Sequence, residues 1–198
     1  MSFALNEIEP PIRFRSDTPM TDEKFMRFCA ANEPMRFERD ANGEILVMTP
    51  SGSRTSRINS QITHLLTAWA QDDGRGIAFD SNGGFSLPDG SVRAADAAWV
   101  GLDRWQALTD TQQSGFAPIC PDFVIELRSP SDELPDLQAK MAQWIANGAE
   151  VAWLIDPMEK AVTIYRPGDQ PGLLAHPTSV QGTGPITGFE LVMSRIWE

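Results

Sequence analysis

Two acidic residues lie inside apolar stretches of the sequence, where an unpaired charge would be costly. Asp96 lies in residues 92–100 between small alanines, and Glu126 lies in the apolar run 122–127. A buried carboxylate needs a cation, hydrogen bonds or water. If the two stretches form neighbouring strands, their acids repel each other unless a cation joins them. This pair therefore predicts a cation site.

Mg²⁺ suits such a pair, with Mn²⁺ as a substitute. It prefers oxygen ligands, usually takes only one or two protein carboxylates, and fills its shell with water and phosphate oxygens. A metal held in this way can activate water and stabilise charge on phosphoryl oxygens. We therefore expect Asp96 and Glu126 to be catalytic metal ligands in the hydrolysis of a phosphodiester.

A basic residue near the acids would complete this chemistry. Lys140 lies at the margin of the apolar stripe of the helix expected after Glu126, so its ammonium can orient water or stabilise charge at the phosphate. A lone lysine in such a place is more often a snorkelling surface residue. Side chains alternate along a strand, so Arg128 shares a face with Glu126 and offers it a simple ion pair. These two alternatives stay open.

The elements that must position these residues follow from hydrophobic periodicity and turn residues. Helices are expected from Thr21, which can cap the first one, over residues 56–72, and between the capping residues 129–132 and Gly148. Residues 101–119 form a polar connection. The expected strands are 35–37, 45–48, 92–100, 122–127, 151–155 and 161–165. This mixture predicts an α/β (α+β) fold with an N-terminal helix and hairpin.

Composition sets limits on the kind of protein. With 198 residues and 41% hydrophobic content, we expect a single domain over residues 1–198, in which 1–34 form an N-terminal helical extension and 35–198 the core. The N-terminus does not read as a signal peptide, and no run of about 18 apolar residues occurs. We therefore expect a cytoplasmic protein with no membrane partner.

The net charge of −11 disfavours a protein that coats nucleic acid through a broad basic surface. A local basic patch with a metal would still suffice, because charges are screened beyond about 8 Å at physiological salt. Arg54 and Arg57 stand just before the helix expected at residue 58, where they and the backbone N–H groups could hold a phosphate. A solvated loop without a ligand is the alternative there.

Five phrases, in this order, resemble the Uma family of restriction endonucleases within the PD-(D/E)XK nuclease superfamily. They are residues 47–52, 79–90, 121–132, 140–141 and 153–157. The resemblance extends from about residue 37 to residue 197. It implies a restriction-endonuclease-like core, a mixed β-sheet flanked by α-helices, with Asp96 and Glu126 as the two acids. It also implies divalent-metal hydrolysis of DNA.

The sequence departs from the superfamily pattern at two positions. Ala95 precedes the first acid where the superfamily has proline, and Arg128 occupies the slot of the lysine two residues after the glutamate. Arginine does not replace a lysine that acts as a compact point charge. We therefore assign the lysine role to Lys140, and Arg128 is either a phosphate ligand or a structural salt bridge.

The main hypothesis is a Mg²⁺-dependent endonuclease that cuts DNA, working as a homodimer because two strands must be cut. The first alternative is a catalytically inactive module of the same fold that binds nucleic acid or protein. The second is a hydrolase that uses paired carboxylates on sugars, with tryptophans as stacking surfaces. Most of the tryptophans lie in apolar patterns that are typical of a core.

Overall fold

The computed structural model describes residues 12–16, 18 and 20–197, which fold as helices packed around two main β-sheets. The helices are α1 (Asp22–Ala31), α2 (Ser53–Asp73), α3 (Leu102–Gln106), α4 (Asp110–Gln113) and α5 (Leu134–Ala146). Of the described helices, none is both long enough and apolar enough to cross a membrane.

The strands fall into a five-stranded sheet, a six-stranded sheet and a short pair. In chain order they are β1 (Arg13–Arg15), β2 (Arg36–Arg39), β3 (Glu44–Met48), β4 (Gly76–Asp80), β5 (Gly84–Ser86), β6 (Val92–Ala94), β7 (Ala97–Gly101), β8 (Phe123–Leu127), β9 (Val151–Asp156), β10 (Ala161–Tyr165), β11 (Gly172–Ala175), β12 (Ser179–Gln181) and β13 (Glu190–Val192). The spatial orders are β1-β3-β2-β6-β5, β11-β10-β9-β8-β7-β4 and β12-β13.

The six-stranded sheet is mixed, because β8 and β9 are parallel to each other while the other neighbouring strands within the sheet are antiparallel. Both parallel strands are buried along their whole length, as expected where helices cover both faces of a sheet. The side chains of β8 alternate between two cores: Phe123, Ile125 and Leu127 pack in one core with α2, whereas Val124 packs in another with α5.

Helix α2 follows from the predicted periodicity. Ile58, Ile62, Leu66 and Ala70 are its buried residues and pack against the six-stranded sheet. The helix ends at Gly74, which adopts a left-handed conformation with φ 73° and donates its N–H to Ala70 O. The helix therefore spans slightly more of the chain than residues 56–72.

Helix α5 begins later than the sequence suggested. The capping residues at 129–132 form a turn instead, in which Asp132 Oδ2 accepts hydrogen bonds from Ser129 N and Oγ, both at 2.7 Å. The helix begins at Leu134 with Pro135 in its first turn, a position where the missing N–H costs nothing. Met141 and Trp144 are its fully buried side chains.

The polar connection at 101–119 contains the short helices α3 and α4, which the sequence analysis did not predict. Helix α4 has a capping box: the Thr109 hydroxyl accepts from Gln112 N, and Gln112 Oε1 accepts from Thr109 N. This Thr-x-x-Gln pattern was a readable signal. Trp105 packs against Phe79 with 5.0 Å between ring centroids, which anchors the connection to the sheet.

Residues 92–100 do not form one strand, as the sequence suggested, but two strands in different sheets. Ala94 in β6 pairs with Gly84 in the five-stranded sheet, and Ala97 in β7 pairs with Ile125 in the six-stranded sheet. Asp96 lies at the crossing, and its carboxylate accepts a hydrogen bond from Leu127 N of β8. The sequence shows only a charged residue between two apolar pieces there, which does not tell one interrupted strand from two strands in different sheets.

The N-terminal helix and hairpin are present as predicted. Thr21 caps α1 by accepting a hydrogen bond from Lys24 N, and β2 pairs with β3 across a turn. Asp40 Oδ1 accepts from two backbone N–H groups in that turn, and Gly43 supplies its positive φ of 80°. The hairpin joins β6 through the pairing of Arg39 with Val92, so that β2 lies close to the crossing at Asp96.

Candidate active site

Asp96 and Glu126 lie next to each other at one end of the six-stranded sheet. The pairing of Ala97 with Ile125 brings the start of β7 beside the end of β8. Leu127 N donates a 2.8 Å hydrogen bond to Asp96 Oδ2, so that the acid is fixed against the residue that follows Glu126. Glu126 is buried and Asp96 is half-buried.

Lys140 lies between the acids and the N-terminal hairpin. Its Nζ is 2.9 Å from Glu126 Oε1 and 3.0 Å from Glu38 Oε1, and it donates a 3.0 Å hydrogen bond to Ala94 O. The side chain is only 15% exposed. The alternative of a snorkelling surface lysine is therefore wrong.

Glu38 is a third acid at the site, which the sequence analysis missed. It comes from β2 and is buried; its Oε1 accepts from Ala94 N at 3.2 Å, and its Oε2 lies 2.9 Å from Arg93 Nη1. The only signal in the sequence was a glutamate that directly follows the short strand expected at residues 35–37. That signal does not reveal which distant residues it meets, because more than fifty residues separate Glu38 from Arg93.

Trp144 is a second residue whose contribution was missed. Its Nε1 donates a 2.9 Å hydrogen bond to Glu126 Oε1, and both side chains are buried. Trp144 belongs to the buried face of α5. The apolar pattern gave no sign of the polar contact that this indole makes on the same face as Lys140.

The pKa values of the acids reflect three carboxylates that share one ammonium. Burial raises the pKa of Glu126 to about 7, the charges of Asp96 and Glu38 add to this effect, and Lys140 opposes it. Burial also raises the pKa of Asp96, against the hydrogen bond from Leu127 N and the charge of Lys140. The site therefore favours a proton or another cation on the Asp96–Glu126 pair.

Glu38 and Lys140 behave in the opposite way, because each faces more than one opposite charge. Burial alone would raise the pKa of Glu38, but the charges of Lys140 and Arg93 together lower it. Burial alone would lower the pKa of Lys140, but the surrounding carboxylates raise it above its ordinary value. Both groups are therefore ionised at neutral pH.

Arg128 lies at the end of β8 but does not pair with Glu126. Its Nη1 is 2.7 Å from Asp156 Oδ2, and its Nε donates to Asp132 O at 3.4 Å. The alternative in which Arg128 neutralises Glu126 is therefore wrong, because Lys140 makes that contact. Arg128 is half-buried and remains at the same sheet end as the two acids.

Arg54 and Arg57 are exposed and lie within the first two turns of α2, not before the helix as expected, because the helix begins at Ser53. The first half of this helix and the end of β4 line a polar cavity of about 270 Å³; the lining residues are Ser56, Asn59, Ser60, Thr63, Asp80 and Ser81. Asp80 pairs with Ala97, the residue after Asp96. The topology therefore places both arginines at the sheet end that carries the acids.

Asp96 and Glu126 are the side chains that could hold a metal ion. Among the residues that the structure describes, no group of three or more histidine, cysteine, aspartate or glutamate side chains is arranged for this purpose. Two carboxylates are nevertheless compatible with Mg²⁺, which commonly keeps several waters and takes substrate oxygens. The described hydrogen bonds use Asp96 Oδ2 and Glu126 Oε1, and the second oxygen of each acid lies outside those bonds.

The tryptophans do not offer stacking surfaces for a sugar. Trp99, Trp144 and Trp153 are buried, and Trp69, Trp105 and Trp197 are half-buried. Several pack on one another or on phenylalanines, as Trp153 does on Phe189 with 5.7 Å between centroids. The structure therefore gives no support to the glycoside-hydrolase alternative.

Comparisons with known proteins place this fold in a family. The chain is similar in structure to a protein from Anabaena variabilis ATCC 29413, described as a "putative nuclease belonging to DUF820", with a TM-score of 0.72 and 19% sequence identity. The match covers 90% of this chain and 98% of that one, which shows a shared fold. No curated protein sequence matches the chain significantly. The sequence profile of the Uma2 family, described as "Putative restriction endonuclease", matches residues 22–194, and the chain belongs to that family.

Proposed function

We propose that the protein is a Mg²⁺-dependent endonuclease that hydrolyses phosphodiester bonds in DNA. The observation that carries this proposal is the buried ammonium of Lys140 placed 2.9 Å from Glu126 Oε1, beside the half-buried Asp96. Two adjacent carboxylates and a fixed positive charge are the set that metal-assisted phosphodiester hydrolysis uses. Membership in the Uma2 family supports the same function.

Asp96 and Glu126 would hold Mg²⁺, for which Mn²⁺ can substitute. Bound there, the metal would lower the pKa of a water molecule and stabilise charge on the phosphoryl oxygens. Trp144 holds Glu126 Oε1 and Leu127 N holds Asp96 Oδ2, so the backbone and the indole orient both acids before any ligand arrives. Lys140 supplies a positive charge that orients the attacking water or stabilises the phosphate.

Three arginines would contact phosphates of the DNA backbone. Arg128 lies beyond the acid at the end of β8, and Arg54 and Arg57 lie near the start of α2 at the same sheet end. Half of the 16 lysine and arginine residues lie at or before Arg57, whereas the acidic excess lies in the rest of the chain. This distribution supports a local approach of DNA despite the net charge of −11.

A homodimer would allow both strands of a duplex to be cut. Strand β11 is an edge of the six-stranded sheet, carries no charged residue, and leaves Leu173 67% exposed. Such an edge can pair with the same edge of a second copy about a twofold axis. Light scattering should give twice the monomer mass, and a monomeric mass at working concentration would contradict the dimer.

Plasmid cleavage tests the nuclease directly. We expect supercoiled plasmid to be nicked or linearised with Mg²⁺ or Mn²⁺, and to remain intact in EDTA and with Asp96→Asn or Glu126→Gln. Asp122→Asn is the matched control. Asp122 is also a buried acid, but it directly precedes β8 at the end away from Glu126, where it pairs with Arg104. Absence of cutting with any metal, together with absence of metal binding, would favour an inactive binding module.

A further inference from the structure

We propose that Glu38, held by Arg93, is a positioning residue that fixes the Lys140 ammonium in the active site. This inference rests on the proposed nuclease function for its catalytic consequence, but the geometry that it describes can be tested without any cleavage. It makes the N-terminal hairpin, through strand β2, a part of the active site.

Both oxygens of Glu38 are engaged by donors from the chain itself. Oε1 accepts from Lys140 Nζ at 3.0 Å and from Ala94 N at 3.2 Å, while Oε2 accepts from Arg93 Nη1 at 2.9 Å. A carboxylate that two cations and a backbone N–H already satisfy has little left to offer a metal. Glu38 therefore acts as an anchor for Lys140, in contrast to Asp96 and Glu126.

The anchor is itself fixed through helix α5. Arg93 Nε donates a 3.0 Å hydrogen bond to Gln143 Oε1, and Gln143 lies three residues after Lys140 on the same helix. The contacts therefore form a closed ring from Lys140 to Glu38, Arg93, Gln143 and back along α5. The ring joins β2, β6 and α5 with side chains that are mostly buried, so each member limits the freedom of the next.

The ring gives Lys140 a support that is independent of Glu126. The ammonium has three acceptors: Glu126 Oε1, Glu38 Oε1 and Ala94 O. When Glu126 binds a metal, or when its charge is removed by substitution, Glu38 and the backbone carbonyl should still hold the lysine. In either case the position of Lys140 should depend on Glu38.

Chemical modification of amines measures this dependence. Lys24 and Lys160, the other lysines of the chain, are exposed and serve as internal references in peptide mass mapping. In the wild type, we expect acetic anhydride to modify Lys140 at least about tenfold more slowly than the references. In Glu38→Gln, the modification rate of Lys140 should come within about threefold of the rates of the reference lysines. In Glu126→Gln, Lys140 should stay protected from modification.

Protection of Lys140 that survives Glu38→Gln, or that is lost equally in Glu126→Gln, would overturn the proposal. Asp122→Asn controls for the loss of any buried acid and should leave Lys140 protected. Near-ultraviolet circular dichroism identifies variants that lose their tertiary structure. If Glu38→Gln does not fold, Arg93→Lys is the second variant, and it should raise the modification rate of Lys140 above that of the wild type; an unchanged rate would contradict the proposal.

Metal binding and kinetics separate an anchor from a ligand. Calorimetry should give Glu38→Gln a Mn²⁺ affinity within about threefold of wild type, whereas loss of a true ligand would lower it by more than about tenfold. In plasmid cleavage, Glu38→Gln should lower kcat with KM for DNA unchanged, and Glu38→Asp should recover part of kcat. A change confined to KM, or a lost metal affinity, would contradict the positioning role.

If the protein cuts no DNA, the proposed function is wrong, but the role of Glu38 in positioning Lys140 can still be tested. In that case the modification rates and the calorimetry still discriminate between Glu38 as anchor and Glu38 as ligand. Conversely, an active nuclease in which Lys140 stays protected in Glu38→Gln would retain its function and lose this inference.

Discussion

Trp144 Nε1 and Lys140 Nζ both contact the same oxygen, Glu126 Oε1, at 2.9 Å. The two donors lie four residues apart on α5, so one turn of the helix presents them side by side to the end of β8. Their convergence fixes the orientation of the Glu126 carboxylate. It also divides the acid into an oxygen held by the protein and an oxygen that can face a ligand.

Metal affinity should increase as the pH rises through about 7. Because the pKa of Glu126 is raised to about 7, Mg²⁺ must displace a proton from the site below that pH. We expect the affinity to fall below pH 7 and to level off above it, with proton release detected by calorimetry in buffers of different ionisation enthalpy. An affinity that does not change between pH 5.5 and 8.5 would contradict this assignment.

The free energy of unfolding should carry the opposite pH dependence. The pKa of Glu126 rises from 4.5 when unfolded to about 7 when folded, so the folded state binds more protons between these values. The stabilising contribution of Glu126 to the free energy of unfolding is therefore fully present below about pH 4.5 and is lost as the pH rises through 7. Urea titrations should show that stability falls less steeply with rising pH in Glu126→Gln than in the wild type. Identical pH profiles for the two proteins would argue against the raised pKa of Glu126.

Replacement of Lys140 should affect catalysis and stability together. Lys140→Ala leaves Glu126 and Glu38 without their shared cation, so we expect cleavage to be lost and unfolding to cost about 3–5 kcal/mol less. Lys140→Arg should not restore cleavage, because the planar guanidinium does not fit a site for a point charge. A Lys140→Ala protein with wild-type kcat would exclude a catalytic role.

Replacement of Arg128 should have a different signature. If Arg128 contacts a phosphate, Arg128→Ala should raise KM for DNA with kcat changed by less than about threefold. A comparison with Lys140→Ala in the same steady-state assay shows which of the two basic residues acts in catalysis and which in phosphate binding. A loss of kcat in Arg128→Ala alone would transfer the catalytic role to this arginine. Arg128→Ala also breaks the salt bridge with Asp156, so thermal unfolding of Asp156→Asn, which breaks the same bridge, is the stability control.

The arginines near the start of α2 should determine how DNA affinity depends on salt. Arg54→Ala or Arg57→Ala should each reduce the slope of log affinity against log salt concentration by about 1, which is the effect of losing one phosphate contact. Fluorescence anisotropy with a labelled duplex and Asp96→Asn protein avoids cleavage. Unchanged slopes in both variants would show that DNA approaches the acids by another route.

Much of the fold could be predicted because single segments carried their own signals. The apolar spacing of Ile58, Ile62 and Leu66 gave α2, and alternation gave the two faces of β8. The end of β6 and the start of β7 could not be separated, because a charged residue between two apolar pieces is as compatible with one strand as with two. The partners of the two pieces, Gly84 and Ile125, belong to different sheets, and no local pattern shows them.

The candidate site was predictable only where an unusual residue interrupted an apolar run. Asp96 and Glu126 stood out in this way, and Lys140 followed from its place on the helix. Glu38 and Trp144 did not stand out, because a glutamate in a hairpin strand and a tryptophan in an apolar stripe are ordinary. Their importance comes from distant partners, and the sequence alone does not show which distant segments meet.

The change of sheet at Asp96 has a consequence for biosynthesis. Asp96 belongs to the short connection between the two sheets. Lys140 is held by Glu38 of the five-stranded sheet and also contacts Glu126 of the six-stranded sheet. The full set of charges therefore assembles only when both sheets have formed and docked. A nascent or partly unfolded chain lacks that set, so the proposed nuclease would acquire its activity only after the two sheets have docked.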